Sequence, residues 1–103
     1  MTAYWLARAK INDQSEYMKY ATKVPAILQK YNGKILTRGG KYKTLEGKDY
    51  FERFVVIEFP SMEDAEACFS SAEYTAAAQF RRNDDVGHNE LTIVEAGDLT
   101  PHK

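Results

Sequence analysis

The first segment of the chain has the alternation of a β-strand. From Ala3 to Ile11, every second residue falls on the same side, and a period of two is typical of strands. One side carries Trp5, Ala7, Ala9 and Ile11, and the other carries Tyr4, Leu6, Arg8 and Lys10. We therefore predict a strand whose more apolar side, that of Trp5, packs under helices.

The next segment changes to the spacing of a helix. Asp13 and Glu16 are three residues apart and have the pattern of a capping box, which opens a helix. A stripe of aromatic and aliphatic residues then recurs at helical spacing: Tyr17, Tyr20, Ala21, Val24, Ile27, Leu28 and Tyr31. Pro25 predicts a kink or break within this span, and Asn32-Gly33 predicts a left-handed end to the helix.

The rest of the chain contains three more strands and two more helical segments. We predict the strands at residues 34–38, 52–59 and 91–96. Ser61 is a suitable cap for a helix that runs to Phe69. Ser70 and Glu73 form a second capping box, so we predict a further helix from there to Arg81.

The resulting β-α-β-β-α-β order predicts a ferredoxin-like α+β fold. In this plait a four-stranded antiparallel sheet carries its helices on one face, with strands one and three in the middle. The length of 103 residues fits a single domain, which we place at residues 1–97. Residues 41–50 are polar and predict a hairpin excursion, and residues 98–103 predict a frayed tail.

The sheet face away from the helices is predicted to be unusually apolar. We expect it to carry Tyr4, Leu6, Leu36, Phe54, Val56, Leu91 and Ile93. Contiguous apolar surface usually marks an interface, and a second copy related by a two-fold axis would cover it. We therefore predict a homodimer through the open sheet face, with a small-molecule site in the interior shared by the two sheets.

The charge balance argues against two classes of partner. Fourteen basic and fifteen acidic residues give a net charge of -1, so we expect neither a nucleic-acid footprint nor a basic membrane patch. The chain has no apolar run near the roughly 20 residues of a spanning helix, and its N-terminus lacks the pattern of a signal peptide. We therefore expect a cytoplasmic protein.

Three arginines are predicted to meet at one edge of the sheet. Arg8, Arg38 and Arg53 lie at strand ends that converge there, and Gly39-Gly40 would permit close approach of the backbone. Guanidinium groups bind carboxylates and phosphates through paired hydrogen bonds, so this corner is a candidate anion site. The alternative is a set of solvated or acid-paired arginines, and the parity of Arg53 favours the helix side for that residue.

Glu58 and Arg81 are charged residues in apolar surroundings. Glu58 lies within an apolar strand, on the face that we assign to the dimer interior, where burial would raise its pKa and suit it to general acid or base catalysis. Alternatively, it is a carboxylate paired with an arginine or a tyrosine. Arg81 continues a buried helical stripe, so it either extends to solvent or reaches a buried acid such as Glu58.

The sequence predicts no metal and no cofactor. Asp84, Asp85 and His88 lie in a polar segment that is typical of a solvated loop. A glycine-rich phosphate loop, a nucleophile elbow and a metalloprotease helix are all missing. The single cysteine, Cys68, excludes an internal disulfide and is interpreted as a packing residue.

The same residues resemble a known family. The pattern Arg53-x3-Ile57-Glu58-Phe59-Pro60-Ser61, followed by Ala65, Ser71-x-Glu73-Tyr74 and Arg81, resembles the bacterial domain-of-unknown-function family numbered 1330. The first half agrees at Tyr17, Tyr20, Pro25, Tyr31, Gly33, Arg38-Gly39-Gly40 and Glu46-Gly47. The resemblance implies the dimeric α+β barrel superfamily, whose members pair sheet to sheet. It makes ligand-binding candidates of Arg38, Arg53, Ser61, Tyr74 and Arg81, beside Glu58 as the catalytic candidate.

Two functional hypotheses follow. The first is a cofactor-independent enzyme that acts on a small organic acid or an oxygenated metabolite, with Glu58 as acid or base and arginines that orient the anion. The second is a ligand-binding or sensing module without chemistry. An RNA-binding domain has the same element order, but the third-strand pattern and the charge do not fit one.

Overall fold

A computed structural model describes residues 1–83 and 85–97 as a four-stranded antiparallel sheet with helices on one face. The strands are β1 (Ala3–Ile11), β2 (Lys34–Arg38), β3 (Arg53–Phe59) and β4 (Gly87–Glu95). The helices are α1 (Gln14–Ala21), α2 (Val24–Lys30), α3 (Met62–Ser70) and α4 (Ala72–Arg82). The strand order β2-β3-β1-β4 puts β1 and β3 in the middle and confirms the predicted plait. The predicted tail, residues 98–103, lies outside the described residues, so the domain boundary at residue 97 stays a prediction.

The first helical region begins and breaks where its sequence predicts. The Asp13 side chain accepts a hydrogen bond from the backbone N–H of Glu16 at 3.1 Å, and this caps α1. Because proline lacks an N–H donor, Pro25 fits the first turn of a new helix, and α2 starts at Val24 after a break. The structure thus confirms both the cap and the interruption.

The end of α2 is a left-handed turn closed by two backbone hydrogen bonds. Asn32 has a φ of 66°, and its N–H donates to the carbonyl of Gln29 at 3.1 Å. The N–H of Gly33 donates to the carbonyl of Leu28 at 2.8 Å. This pair of bonds is the Schellman arrangement, and it turns the chain sharply into β2.

The hydrophobic core lies between the helices and the Trp5 side of the sheet. The indole ring of Trp5 stacks on Phe59 at 5.8 Å and meets the edge of Tyr74 at 5.2 Å. Each buried aromatic removes about 150–250 Å² from water, so these rings contribute much of the stability. The main buried cluster consists of Trp5, Val24, Leu28, Ile57, Phe59, Ala65, Cys68, Tyr74 and Ala78.

The cap of the last helix is Ser71 rather than the predicted Ser70. The Ser71 hydroxyl accepts from the N–H of Tyr74 at 3.1 Å and donates to the carbonyl of Cys68 at 2.7 Å. Ser70 is instead the last residue of α3. Both serines fit a cap pattern in the sequence, and the buried bond to Cys68 decides between them.

Strand β4 begins at Gly87, earlier than the predicted Leu91. Gly87 and His88 pair with Ile11 and Lys10 of β1, so His88 belongs to a strand and not to a loop. A Cβ atom on Gly87 would lie 2.0 Å from the carbonyl oxygen of Lys10. Only glycine permits this approach of the two strands. The prediction of β4 relied on apolar residues, and a pattern of apolar residues gives no sign that a glycine begins the strand.

The register also corrects the predicted faces of β4. Leu91 lies opposite Ala7 and Ile93 lies opposite Trp5, and residues directly opposite each other share a face of an antiparallel sheet. Leu91 and Ile93 therefore face the helices, and the predicted position on the other face is wrong. Val94 takes that place.

The face away from the helices remains apolar, and we call it the open face. Its apolar members from the strands are Tyr4, Leu6, Phe54, Val56 and Val94. Leu6 is 42% exposed and Val94 is 43% exposed. The ring of Tyr42, from the segment that connects β2 to β3, covers Phe54 at 5.0 Å. Among the described residues, no helix is both long and apolar enough to cross a membrane.

Candidate functional site

A small cleft opens between the helix side of the sheet and helix α1, and we call it the arginine cleft. Its cavity volume of about 30 Å³ is two to three times the roughly 10–15 Å³ that one water needs. Its lining includes Trp5, Tyr17, Tyr20, Arg38, Arg53 and Arg81, together with Arg8 and Glu90. A space of this size suits the head group of a small molecule.

Arg53 enters the cleft because of its position in β3. It lies opposite Ala9 of β1, and Ala9 is buried under the helices. The guanidinium carbon of Arg53 lies 5.5 Å from the centre of the Tyr17 ring, a cation–π contact. Its Nε atom is buried and has no hydrogen-bond partner among the described residues.

Gly39 provides the space beside Arg53. A Cβ atom at this position would lie 3.0 Å from Nη1 of Arg53. Gly39 also has a φ of 74°, a backbone conformation that residues with a Cβ atom rarely adopt. The expectation that Gly39-Gly40 permits close approach is therefore met at Gly39.

Arg38 reaches the cleft from the end of β2. Its guanidinium group donates a hydrogen bond to the backbone carbonyl of Ala21. Ala21 is the last residue of α1, and cations are stabilised by the partial negative charge at a helix C-terminus. The helix end thus fixes a positive charge on the wall of the cleft.

Arg81 closes the inner end of the cleft from α4. It is 7% exposed, and its Nη2 atom donates to the Tyr74 hydroxyl at 2.9 Å. Its guanidinium carbon lies 5.0 Å from the ring centre of Tyr20. Arg81 therefore remains inside the molecule, held by tyrosines, and does not extend to solvent.

The three cleft arginines have no carboxylate partner in the part of the chain that the structure describes. Ion pairs occur elsewhere: Arg8 with Glu90, Lys10 with Glu52, Lys19 with Glu16 and Lys30 with Glu73. Arg38, Arg53 and Arg81 have only carbonyl, hydroxyl and aromatic contacts. Glu90, the acid among the described residues that line the cavity, is paired with Arg8. The cleft thus combines three positive charges with no unpaired acid among the described residues.

The tyrosines of the cleft are neutral donors. Burial raises the pKa of Tyr17 and of Tyr20 above the ordinary tyrosine value. The two rings meet at 5.5 Å in an edge contact. Both phenols therefore stay protonated at neutral pH and offer hydrogen bonds without adding negative charge.

The side chains of three predicted site residues are directed away from the cleft. Arg8 is among the residues that line the cavity with Arg38 and Arg53, but it has the opposite parity in the sheet. Its guanidinium group therefore projects from the open face, where it pairs with Glu90 at 2.7 Å and covers the ring of Phe51 at 4.3 Å. The Ser61 hydroxyl caps α3, accepting from the N–H of Asp64 at 3.1 Å.

Glu58 also lies on the open face, as predicted. It is opposite Tyr4 of β1 and Lys34 of β2. Arg81 is on the helix side of the sheet, so Glu58, which was one possible partner of Arg81, does not contact it. The catalytic role of Glu58 and the ligand-binding role of Ser61 stay predictions.

Tyr17 and Tyr20 are two cleft residues that were predicted only as members of the buried stripe of the first helix and not as site residues. A usable signal was two tyrosines on one helix face opposite an arginine at the start of β3, because aromatic faces attract guanidinium groups.

Among the described residues, the Cys68 thiol and the His88 ring lie outside the arginine cleft. The Cys68 thiol is buried, and burial raises its pKa to about 11. His88 and Tyr50 share a hydrogen bond on the exposed surface. No group of three His, Cys, Asp or Glu side chains could hold a metal within residues 1–83 and 85–97. Asp84, part of the sequence segment considered for a metal, lies outside the described residues.

Residues 2–96 match the family described as domain of unknown function (DUF1330). The chain belongs to the DUF1330 family. The match spans both halves of the plait and includes every residue of the arginine cleft. No curated protein matches this DUF1330 chain.

Solved structures share the fold at low sequence identity. A protein of unknown function from Rhodopseudomonas palustris has a TM-score of 0.74 at 15% identity, over 97% of this chain and 84% of that chain. A protein from Bacteroides fragilis, described as dimeric and ferredoxin-like, has a TM-score of 0.60 at 14% identity, over 91% and 95%. SnoaB from Streptomyces nogalater, described as a cofactor-independent oxygenase, has a TM-score of 0.62 at 13% identity, over 98% of both chains. These similarities establish the ferredoxin-like α+β fold of the DUF1330 chain.

Proposed function

We propose that this DUF1330 protein binds a small organic carboxylate in the arginine cleft. The observation that carries the proposal is the set of three guanidinium groups without an acid partner among the described residues. Arginine recognises a carboxylate through paired, charge-assisted hydrogen bonds. A bound carboxylate would supply the negative charge that no unpaired acid among the described residues provides there.

The buried Nε atom of Arg53 supports a ligand in contact with that residue. A buried donor without a partner costs about 1–3 kcal/mol. A carboxylate oxygen beside Arg53 would remove this cost on binding, and the second oxygen would be within the reach of a neighbouring donor. Arg53 therefore gains more from the ligand than a solvated arginine would.

The surroundings favour a carboxylate over a phosphate. Phosphate sites commonly use the positive end of a helix, but the helix end at this cleft is the C-terminal end of α1, marked by the bond from Arg38 to Ala21. Carbonyl groups there disfavour a dianion. The small cavity also suits a planar carboxylate.

Trp5 gives a direct readout of binding. It is the only tryptophan in the chain, and it lines the cleft. We expect propanoate to change Trp5 fluorescence in a saturable manner and its neutral amide, propanamide, to have no such effect. Equal responses to the acid and the amide would contradict the proposal.

A pair of arginine variants locates the site. Arg53→Gln should weaken propanoate binding by about tenfold or more, because a charge-assisted hydrogen bond contributes about 1.5–3 kcal/mol. Arg8→Gln is the matched control, since Arg8 lies on the other face of the sheet in its pair with Glu90. Equal effects of the two variants would mean that binding reflects overall charge and not this cleft.

The proposal includes assembly as a homodimer through the open face. The apolar residues of that face, with Leu6 42% exposed, favour a partner surface of the same kind. The Bacteroides fragilis protein of similar fold is described as dimeric. The arginine cleft is on the opposite side of the sheet, so each protomer would carry its own site.

An enzymatic role is the second candidate, supported by the fold that this chain shares with the cofactor-independent oxygenase SnoaB. Glu58 is the candidate acid or base, half-buried beside Tyr4 on the open face. Because Glu58 lies on the other face of the sheet from the arginine cleft, its substrate would be an acid held on the open face. Consumption of such an acid in the presence of oxygen, lost in Glu58→Gln and retained in Arg53→Gln, would support this role. Recovery of every bound acid unaltered would favour a binding module.

A further inference from the structure

The hydroxyl groups of Tyr20 and Tyr74 form a chain whose direction is fixed by Arg81. The Tyr74 hydroxyl lies 2.8 Å from that of Tyr20 and accepts from Arg81 at 2.9 Å. Tyr74 is fully buried, so its own hydrogen needs an acceptor. A guanidinium group is a donor only, and the Tyr20 oxygen is the acceptor within reach among the described residues. Tyr74 therefore donates to Tyr20.

Because Tyr20 accepts from Tyr74, the hydrogen of the Tyr20 hydroxyl is available to donate to a ligand. Tyr20 lines the arginine cleft. Its other hydrogen-bond neighbour among the described residues is the guanidinium group of Arg81, which donates to the Tyr20 oxygen and cannot accept its hydrogen. Hydrogen bonds in a chain polarise one another, so the charge of Arg81 strengthens the donor at the far end. Because burial raises the pKa of Tyr20, the phenol keeps this hydrogen at neutral pH.

Arg81 and Tyr20, the two ends of this hydrogen-bond chain, are close together. The Nη2 atom of Arg81 and the hydroxyl of Tyr20 both contact the same Tyr74 hydroxyl. A ligand that places a carboxylate against the arginines therefore has a neutral donor directly beside its charged group. An oxygen on the carbon next to the carboxylate is the acceptor that fits this arrangement.

We propose that Tyr20 donates a hydrogen bond to a second oxygen of the ligand, so that the cleft selects 2-oxo or 2-hydroxy acids over unsubstituted acids. This inference rests on the proposed binding of carboxylates and specifies their class. Tyr20 acts by direct contact, and Tyr74 with Arg81 orients it.

The test compares three acids of three carbons each, namely pyruvate, lactate and propanoate. For the wild-type protein, we expect pyruvate or lactate to bind about five- to tenfold more tightly than propanoate, as a neutral hydrogen bond provides. In Tyr20→Phe, the preference should disappear, so that the ratio of pyruvate or lactate affinity to propanoate affinity falls to about one. Tyr31→Phe is the control, because the Tyr31 hydroxyl contacts Glu73 outside the cleft.

The outcomes separate this inference from the proposal on which it rests. Equal binding of the three acids to wild-type protein would overturn the role of Tyr20 and leave carboxylate binding intact. Absence of binding by any of them would overturn carboxylate binding itself. An equal loss for all three acids in Tyr20→Phe would mean that Tyr20 only supports the cleft wall. The wild-type ratio tests the inference even where the variant fails to fold.

Discussion

Tyr74 connects the hydrophobic core to the polar end of the arginine cleft. Its ring meets Trp5 at 5.2 Å, and its backbone N–H is held by the Ser71 cap. Its hydroxyl lies between Tyr20 and Arg81. One side chain thus packs the core, orients a neutral donor and satisfies a buried cation.

We expect Tyr74→Phe to lower the free energy of unfolding by about 1–3 kcal/mol, because it removes an acceptor of the buried Arg81. The measurement is urea unfolding followed by circular dichroism. The control, Tyr31→Phe, removes a part-buried hydroxyl that contacts Glu73 at 3.4 Å, and should cost less than about 0.5 kcal/mol. If both variants lower the free energy of unfolding by a similar amount, the buried Tyr74 hydroxyl contributes no more to stability than the part-buried Tyr31 hydroxyl.

At the scale of residues, the sequence identified the cleft arginines better than their partners. Arg81 was selected because a charge interrupts an apolar stripe, and the structure places it inside the molecule. Tyr20 was not predicted as a site residue because a tyrosine in a buried stripe is usually a packing residue. Its hydroxyl acquires significance only from Tyr74 and Arg81, which are distant in the chain and close in the fold.

Among the elements, the end of β2 is the one that shapes the cleft directly. Gly39 follows the strand, and its N–H donates to the carbonyl of Phe54 at 3.3 Å. The positive φ of Gly39 and the 3.0 Å between Nη1 of Arg53 and the position of a Cβ atom there both favour glycine. The backbone of this turn therefore fixes where the Arg53 guanidinium group lies.

We expect Gly39→Ala to reduce both stability and propanoate binding. The left-handed backbone costs a residue with a Cβ atom roughly 1–2 kcal/mol, and the new methyl group would displace Arg53. Gly47→Ala is the matched control, since Gly47 has a φ of 93° but nothing within 4 Å of a Cβ atom. Gly47→Ala should carry the backbone cost alone and keep propanoate affinity.

Two outcomes for these glycine variants would contradict the role of Gly39 in the cleft. Propanoate affinity that falls equally in Gly39→Ala and Gly47→Ala, as fluorescence titration of Trp5 measures it, would mean that the space beside Arg53 is irrelevant to binding. Loss of stability in Gly47→Ala only would also contradict the close packing at Gly39.

The elements were largely predictable because their ends carry local signals. The Asp13 and Ser61 caps and the break at Pro25 depend on neighbouring residues alone, and the structure confirms all three. The start of β4 at Gly87 was not predictable in this way. It depends on pairing with β1, from Lys10 to Ile11, and on the space that a glycine leaves for that strand.

For the molecule as a whole, the order of elements was sufficient to predict the fold but not the location of the cleft. The sequence predicted a ligand site between the two sheets of a dimer, and that site stays a prediction. The cleft with convergent arginines is on the helix side of the sheet. Strand parity determines this position, and parity across the sheet follows from a register that no single segment of sequence contains.

The proposed dimer leads to a prediction for the open face. Leu6→Lys should convert the protein from a dimer to a monomer, because the apolar interface would bury an unpaired charge. Met18→Lys is the matched control on α1, since Met18 is 40% exposed and Leu6 is 42% exposed. Sedimentation velocity at micromolar concentration distinguishes the two masses. A monomeric wild-type protein, or dissociation of both variants, would contradict the assembly.

Carboxylate binding in the arginine cleft is the central claim, and NMR of the arginine side chains tests it most directly. The chain has five arginines, and each gives its own Nε–Hε signal. On titration with propanoate, we expect the signal of Arg53 to move most, with smaller shifts at Arg38 and Arg81, while Arg8 and Arg82 stay unchanged. Equal movement at Arg8, or no movement at saturating propanoate, would contradict the claim.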